Sequence, residues 1–205
     1  MGAVIALEAL LDQRRVWKGR PAPAPASAQP SGHAQLDAVL PSGGWPPAAL
    51  TEILQADEGV GELHLVWPTL ARLTQAGERV VLVAPPHIPY PQAWSRAGVD
   101  LRYLSLVQAR GLDILWSAEQ CLRSGSCGAV LCWPRQADDR ALRRLQVAAE
   151  SGQTLAFVYR ALAEACNPSP AALRIAVEAS PSRLRVLKCR GGLAHGAPIA
   201  FDARH

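Results

Sequence analysis

From residue 34 onward the chain alternates between two hydrophobic patterns. Short apolar runs at 50–55, 79–84, 101–107, 129–133 and 154–159 have the length and composition of buried strands. Between them, residues 61–75, 90–97, 112–124 and 138–151 repeat their apolar positions at the period of an amphipathic helix. Buried strands separated by helices predict an α/β fold with a mainly parallel, twisted sheet and helices on both faces. Past Pro170 the period drops to two and no helix intervenes. Residues 173–178, 183–188 and 198–201 are predicted as antiparallel strands closing the C-terminal edge of the sheet.

The first 33 residues are patterned differently. Val4, Leu7 and Leu11, with Leu10 beside them, lie on one helical face, so 3–16 is predicted as an amphipathic helix within an N-terminal element of residues 1–19. Residues 20–33 begin R-P-A-P-A-P-A-S-A-Q-P-S-G, a Pro/Ala-rich linker whose fixed φ angles predict extended chain. An apolar helix face has to be buried, so this helix either docks on its own domain or binds another chain. Residues 34–205 form one domain.

Composition agrees with that division. The chain has 205 residues, 49% apolar and 19% charged, which suits one α/β domain with a real core. No apolar run reaches the ~18 residues of a membrane span. Glu8 and Asp12 interrupt the N-terminal apolar stretch and no basic leader precedes it, so a signal peptide is not expected and a cytoplasmic location is. A net charge of +4 permits an acidic partner or nucleic acid without demanding either. The five cysteines form no C-x-x-C pair and the five histidines show no ligand spacing, so neither a disulfide framework nor a metal site is expected.

One segment has the layout of a nucleotide-binding loop without its chemistry. Residues 56–63, A-D-E-G-V-G-E-L, follow a strand and precede a helical pattern, as G-x-x-x-x-G-K-[ST] does. Ala56 and Gly61 fall at the two glycine positions, and Glu62 and Leu63 fall where a lysine and a Mg²⁺-binding hydroxyl belong. Asp57, Glu58 and Glu62 would repel a polyphosphate. No other catalytic motif occurs. The pair Asp138-Asp139 precedes A-L-R-R-L and reads as a helix N-cap with an acidic first turn.

Several phrases together resemble the RecA-like superfamily over roughly residues 3–192. Q-L-D-A-V-L-P-S-G-G-W-P-P-A-A-L-T-E-I-L (35–54) resembles the helix, Gly-Gly turn and strand that lead into the RecA nucleotide loop. V-A-P-P-H-I-P-Y-P-Q-A-W-S-R-A-G-V-D (83–100), L-R-S-G-S-C-G-A-V-L-C-W (122–133) and R-L-R-V-L-K-C-R (183–190) resemble later RecA elements. A counterpart of RecA's separate C-terminal domain is not expected. Within the superfamily, G-G-W-P, G-E-L-H-L-V-W-P-T-L-A-R-L, D-D-R-A-L-R-R-L-Q-V-A-A-E and V-L-K-C-R-G-G are most similar to the ImuA family, relatives of SulA.

The resemblance places the RecA catalytic positions on residues that lack their chemistry. The Walker B aspartate falls on Trp133 and the water-polarising glutamate on Pro86, while the glutamine switch falls near Arg160. With Glu62 and Leu63 in the loop, it implies no catalytic residue, no ATPase activity and no cofactor. Membership of the ImuA family implies an accessory role in SOS-induced translesion DNA synthesis. The implied partners are ImuB and the RecA filament, with an error-prone polymerase III-type α subunit in the same complex as an indirect partner. The alternative is a SulA-like inhibitor of cell division that binds FtsZ.

Three surfaces are candidates for such contacts. The first is the N-terminal helix through Val4, Leu7 and Leu11; in RecA an equivalent helix packs on the neighbouring subunit. The second is Lys188 and Arg190, alternating with Leu187 and Cys189 on one side of a strand; matching residues in RecA reach the next subunit's nucleotide. The third is a basic patch of Arg140, Arg143 and Arg144 outside the Leu142, Leu145 and Ala149 stripe, facing DNA phosphates, an acidic partner or solvent. Trp17, Trp45 and Trp94 are predicted as partly exposed anchors, and Trp67 and Trp116 as core positions.

Overall fold

The run L-T-E-I-L-Q forms the first strand, β1 (Leu50–Gln55), and every residue of it is buried. A computed structural model describes residues 29–59, 61–179, 182–192 and 197–201. The predicted helix 3–16, with Val4, Leu7, Leu11 and Trp17, and the linker up to residue 28 lie outside the described residues.

The remaining strands are β2 (Arg79–Val83), β3 (Leu104–Val107), β4 (Cys127–Cys132), β5 (Leu155–Ala161), β6 (Leu173–Ala179), β7 (Ser182–Cys189) and β8 (Ile199–Ala200). They make one eight-stranded sheet in the order β3-β2-β4-β5-β1-β6-β7-β8. The pairs from β3 through β6 are parallel, and β6–β7 and β7–β8 are antiparallel. The expected antiparallel edge therefore starts one strand later than the sequence period suggested. After β5 a 3₁₀ turn, Leu162–Cys166, and a short loop return the chain so that β6 lies parallel beside β1.

The helices are α1 (Ala34–Val39), α2 (Trp67–Gln75), α3 (Pro91–Arg96), α4 (Asp113–Arg123) and α5 (Asp139–Gly152). Leu36, Leu70, Leu73 and Trp94 from α1 to α3 bury one face of the sheet against Leu82, Leu131 and Phe157. Ile114, Ala118, Leu122, Leu142, Leu145 and Ala149 from α4 and α5 bury the other against Val81, Val130 and Val158. Successive strand residues thus serve opposite layers, as the two-residue pleat requires.

Three local features follow from residue chemistry. The helix predicted from residue 61 starts at Trp67, because Gly61 lies in the left-handed region and residues 62–66 make turns. Pro68, which has no N–H to donate, sits in the first turn where none is needed. Residues 101–103 form a 3₁₀ turn ahead of β3, closed by the Asp100 carboxylate accepting from Arg102 N–H. Asp138 caps α5 as its sequence suggests, accepting from the Ala141 N–H at 2.7 Å.

The tryptophans depart from expectation. Trp45 is fully buried, donates from Nε1 to Thr69 Oγ1 at 2.8 Å, and stands edge-on to Phe157. Trp94 is buried against the same layer, with Trp67 beside it and partly covered. Trp116, expected in the core, is 58% exposed. It lies two residues from Ile114, about 200° around the helix from the Ile114–Ala118–Leu122 stripe.

Candidate functional site

Parallel α/β sheets bind ligands beyond the carboxyl ends of their strands. The degenerate loop sits at that edge, after β1. Gly59 and Gly61 take positive φ angles of 78° and 91° and make its turn. Glu62 is buried, and its Oε1 accepts from the Gly59 N–H at 3.3 Å while Oε2 has no partner among the described residues. The carboxylate thus bends back onto a loop N–H of the kind that cradles phosphate in a working loop. Leu63 packs on the core beneath α2.

At the end of β4, Trp133 stacks on Tyr159 of β5 with ring centroids 4.6 Å apart and planes 7° from parallel. Tyr159 is buried and its hydroxyl has no hydrogen-bond partner among the described residues. Burial pushes its pKa well above the usual phenol value, and the Glu62 and Cys132 charges push the same way. Cys132 is pushed up to about 12 by burial alone. Gln55 Oε1 and Trp67 Nε1 are further buried atoms without partners among the described residues. This region supplies aromatic surface and a carboxylate, and the one lysine among the described residues, Lys188, lies on β7.

The opposite face of the same strands carries a buried charge network absent from the sequence-derived candidates. Glu52 of β1 is fully buried and bridges two arginines, Arg160 Nη1 at 2.8 Å and Arg174 Nε at 2.5 Å. Arg160 also reaches Glu164 and the Ala137 carbonyl, and Arg174 donates to the carbonyls of Glu164, Ala165 and Asn167. Arg160, the position matched to the glutamine switch, is committed to this network. The signal available in sequence was a charged residue inside the apolar runs 50–55 and 173–178 and one directly after the run 154–159.

Lys188 and Arg190 do reach the same side, by a different route. The ladder slips between Arg174 and Ile175, so Val186 and Lys188 are both register partners and Leu187 is the extra residue. Lys188 Nζ donates to the Ser169 carbonyl at 2.6 Å, and Arg190, just past β7, meets Glu150 of α5 at 3.4 Å. Desolvation first, then Arg174 and Arg190, lower the Lys188 pKa. The α5 arginines are largely engaged: Arg143 pairs with Asp139, and Arg144 shares the buried Glu119 of α4 with Arg123. Arg140 is exposed beside them.

A second feature of the carboxyl edge was not anticipated. An open crevice of about 1730 Å³ lies beyond β2, β3 and β4. Its floor includes Ala84, a non-glycine residue at φ 51°, followed by Pro85 and Pro86. The His87–Glu58 pair, at 3.2 Å, spans one side. Ile88, Leu106, Leu112 and Trp116 line it while remaining exposed, Ile88 and Leu112 by more than four fifths. Among the described residues no group of three His, Cys, Asp or Glu side chains is placed to hold a metal, and the five cysteines are free. No described helix is long and apolar enough to cross a membrane.

No protein-family model matches the chain. No curated protein matches it either. Among solved structures, the chain is similar to SulA from Pseudomonas aeruginosa, at 29% identity and a TM-score of 0.47, over 56% of this chain and 99% of that one.

Proposed function

We propose that this protein is a non-catalytic adaptor of SOS-induced translesion synthesis, bridging an ImuB-type partner and the RecA filament. The observation that carries the non-catalytic part is Glu62 at the lysine position, turned onto the Gly59 N–H. Phosphoryl transfer depends on positioning and charge, and here Glu62, Leu63, Pro86 and Trp133 each remove a separate requirement. The adaptor part rests on the resemblance of the quoted sequence phrases to the ImuA family. A protein of this kind acts through surfaces, and a polymerase α subunit joins the complex through ImuB.

Two measurements test this reading. Titration with Mg²⁺-ATP is expected to give a Kd weaker than ~1 mM, less than about 4 kcal/mol of binding. Saturable micromolar binding, or steady hydrolysis, would overturn it. The partner assignment is tested by pull-down against purified ImuB, RecA filament and FtsZ. Retention of ImuB or RecA without FtsZ is expected; retention of FtsZ alone would move the function to division arrest.

The basic strand supplies a sharper prediction. Lys188 is partly desolvated within the field of Arg174 and Arg190, which favours an incoming carboxylate. Lys188→Glu with Arg190→Glu is expected to weaken retention on the RecA filament roughly tenfold or more. The thermal midpoint should fall only by a few degrees, because Arg190 is exposed and Lys188 only half-buried, with one carbonyl contact and one exposed ion pair to lose. Unchanged binding to both RecA and ImuB would remove this strand from the interface.

A further inference from the structure

We infer that the crevice beyond β2, β3 and β4 is a self-association surface, pairing this chain with a second copy of itself about a two-fold axis. This goes beyond the adaptor reading and stands without it. Seven large apolar side chains are exposed among the described residues, and four of them, Ile88, Leu106, Leu112 and Trp116, surround this one depression. Such clustering marks a contact site, whereas scattered exposed apolar residues do not. Leu112 and Trp116 are four residues apart and share a face at the start of α4. They add a second apolar stripe to a helix whose Ile114–Ala118–Leu122 stripe already meets the core. The volume of about 1730 Å³ exceeds the ~300–1,000 Å³ of small-molecule sites. Nineteen residues line it, near the ~20–30 a side of a standard protein interface. The occupant is therefore a macromolecule.

The charges around the crevice select which macromolecule. Arg110, Arg135 and Asp113 line it without an ion pair among the described residues. Glu58 meets only His87, and both side chains are exposed, so that contact is worth little. Two arginines and two carboxylates balance. A nucleic acid or an acidic peptide would be repelled at Glu58 and Asp113 while attracted at Arg110 and Arg135, and a basic partner would meet the reverse. A two-fold interface sets one patch against itself, so residue i meets residue j and j meets i. Such a patch has to carry both signs, and this one does. Its shape satisfies the same condition. Ile88 and Leu112 are exposed by more than four fifths and stand out as projections, and the crevice they border is a depression able to receive them. About the axis, each copy's projections enter the other's crevice and each copy's arginines face the other's carboxylates. Trp116 and the two arginines are the residue types that dominate interface energetics.

Sedimentation velocity on the full-length protein tests the assignment. The mass should rise from 21.9 kDa toward twice that value at concentrations of order micromolar, the weak end for interfaces of this size. Leu112→Asp is expected to weaken the dimer at least about tenfold, as loss of a central apolar anchor does. That variant keeps α4 intact, since Leu112 is its N-cap and aspartate is a favoured residue there. An acidic variant, Arg110→Glu with Arg135→Glu, and a basic variant, Glu58→Arg with Asp113→Arg, should each remain monomeric, because like charges then face each other across the axis. All four side chains are exposed, so both variants keep the fold. Mixed in equal amounts, they should recover a dimer of one acidic and one basic copy, which unfolded variants would not do. A wild-type mass that stays at 21.9 kDa up to about 100 µM would overturn the proposal and give the crevice to a different macromolecule or to residues 1–28. A dimer equally strong in every variant would move self-association to another face and overturn this one. Failure to recover on mixing would overturn the two-fold charge pairing.

Discussion

Glu52→Ala is expected to destabilise the domain by about 3–5 kcal/mol, the cost of breaking a buried ion pair from one side. Glu52 is fully buried, and its two oxygens face Arg160 and Arg174. Those arginines are themselves 8% and 6% exposed, so neither can recover hydration when the carboxylate is removed. The network holds two guanidinium groups against two carboxylates, Glu52 and the partly exposed Glu164. Loss of Glu52 leaves one uncompensated positive charge in the centre of β5, β1 and β6.

Denaturant unfolding measures the effect. The midpoint should fall with the slope unchanged, since variant and wild type expose nearly the same surface on unfolding. For a domain of this size each kcal/mol shifts the melting midpoint by about 2–4 °C, so a drop on the order of 10 °C is expected. Glu52→Gln should fall between wild type and alanine, because it keeps an acceptor but points an amide N–H₂ toward an arginine. Replacing Glu52, Arg160 and Arg174 together by leucine or methionine should recover most of the loss. A triple variant no better than Glu52→Ala would show that packing, and not uncompensated charge, sets the cost.

That network also marks the limit of what pattern carried. The strand runs and the Leu142–Leu145–Ala149 stripe were legible because helix and strand periods are local. The Asp138 cap was legible for the same reason. Glu52, Arg160 and Arg174 are 108 and 122 residues apart in the two pairs, and meet only because β1 inserts between β5 and β6. Strand order is not written in a period. Trp45 was misread because a tryptophan between Gly44 and Pro46 looks like a surface turn; its burial depends on Phe157 and Thr69, which arrive from elsewhere. Trp116 was readable from the sequence alone, since two residues from Ile114 is the wrong side of a helix. The crevice was invisible because its apolar residues come from two loops, the strand β3 and one helix face.

Alkaline pH should unfold the protein through the buried aromatic region around Trp133 and Tyr159. Below pH 9.0 the Cys132 thiol is protonated in both the folded and the unfolded chain, and its burial is without penalty. Above 9.0 the unfolded chain releases this proton, while the folded chain holds it to about 12. Stability therefore falls by about 1.4 kcal/mol for each pH unit in that window, or about 4 kcal/mol in all. Tyr159 adds a second loss above its usual value of 10.0, with the same sign, because burial and then Glu62 hold its phenol protonated. Cys121 and Cys189 are raised by burial as well and steepen the fall. Urea midpoints between pH 8 and 11 measure the sum. Cys132→Ala should flatten the curve from pH 9 upward, and Tyr159→Phe only above pH 10. At neutral pH Tyr159→Phe should be neutral or stabilising by about 1 kcal/mol, since the hydroxyl it removes has no partner among the described residues. A midpoint independent of pH up to 11 would mean that water reaches Cys132 and Tyr159. The strand ends beside Glu62 would then be a hydrated cleft, and the stacked Trp133–Tyr159 pair would no longer account for a closed site.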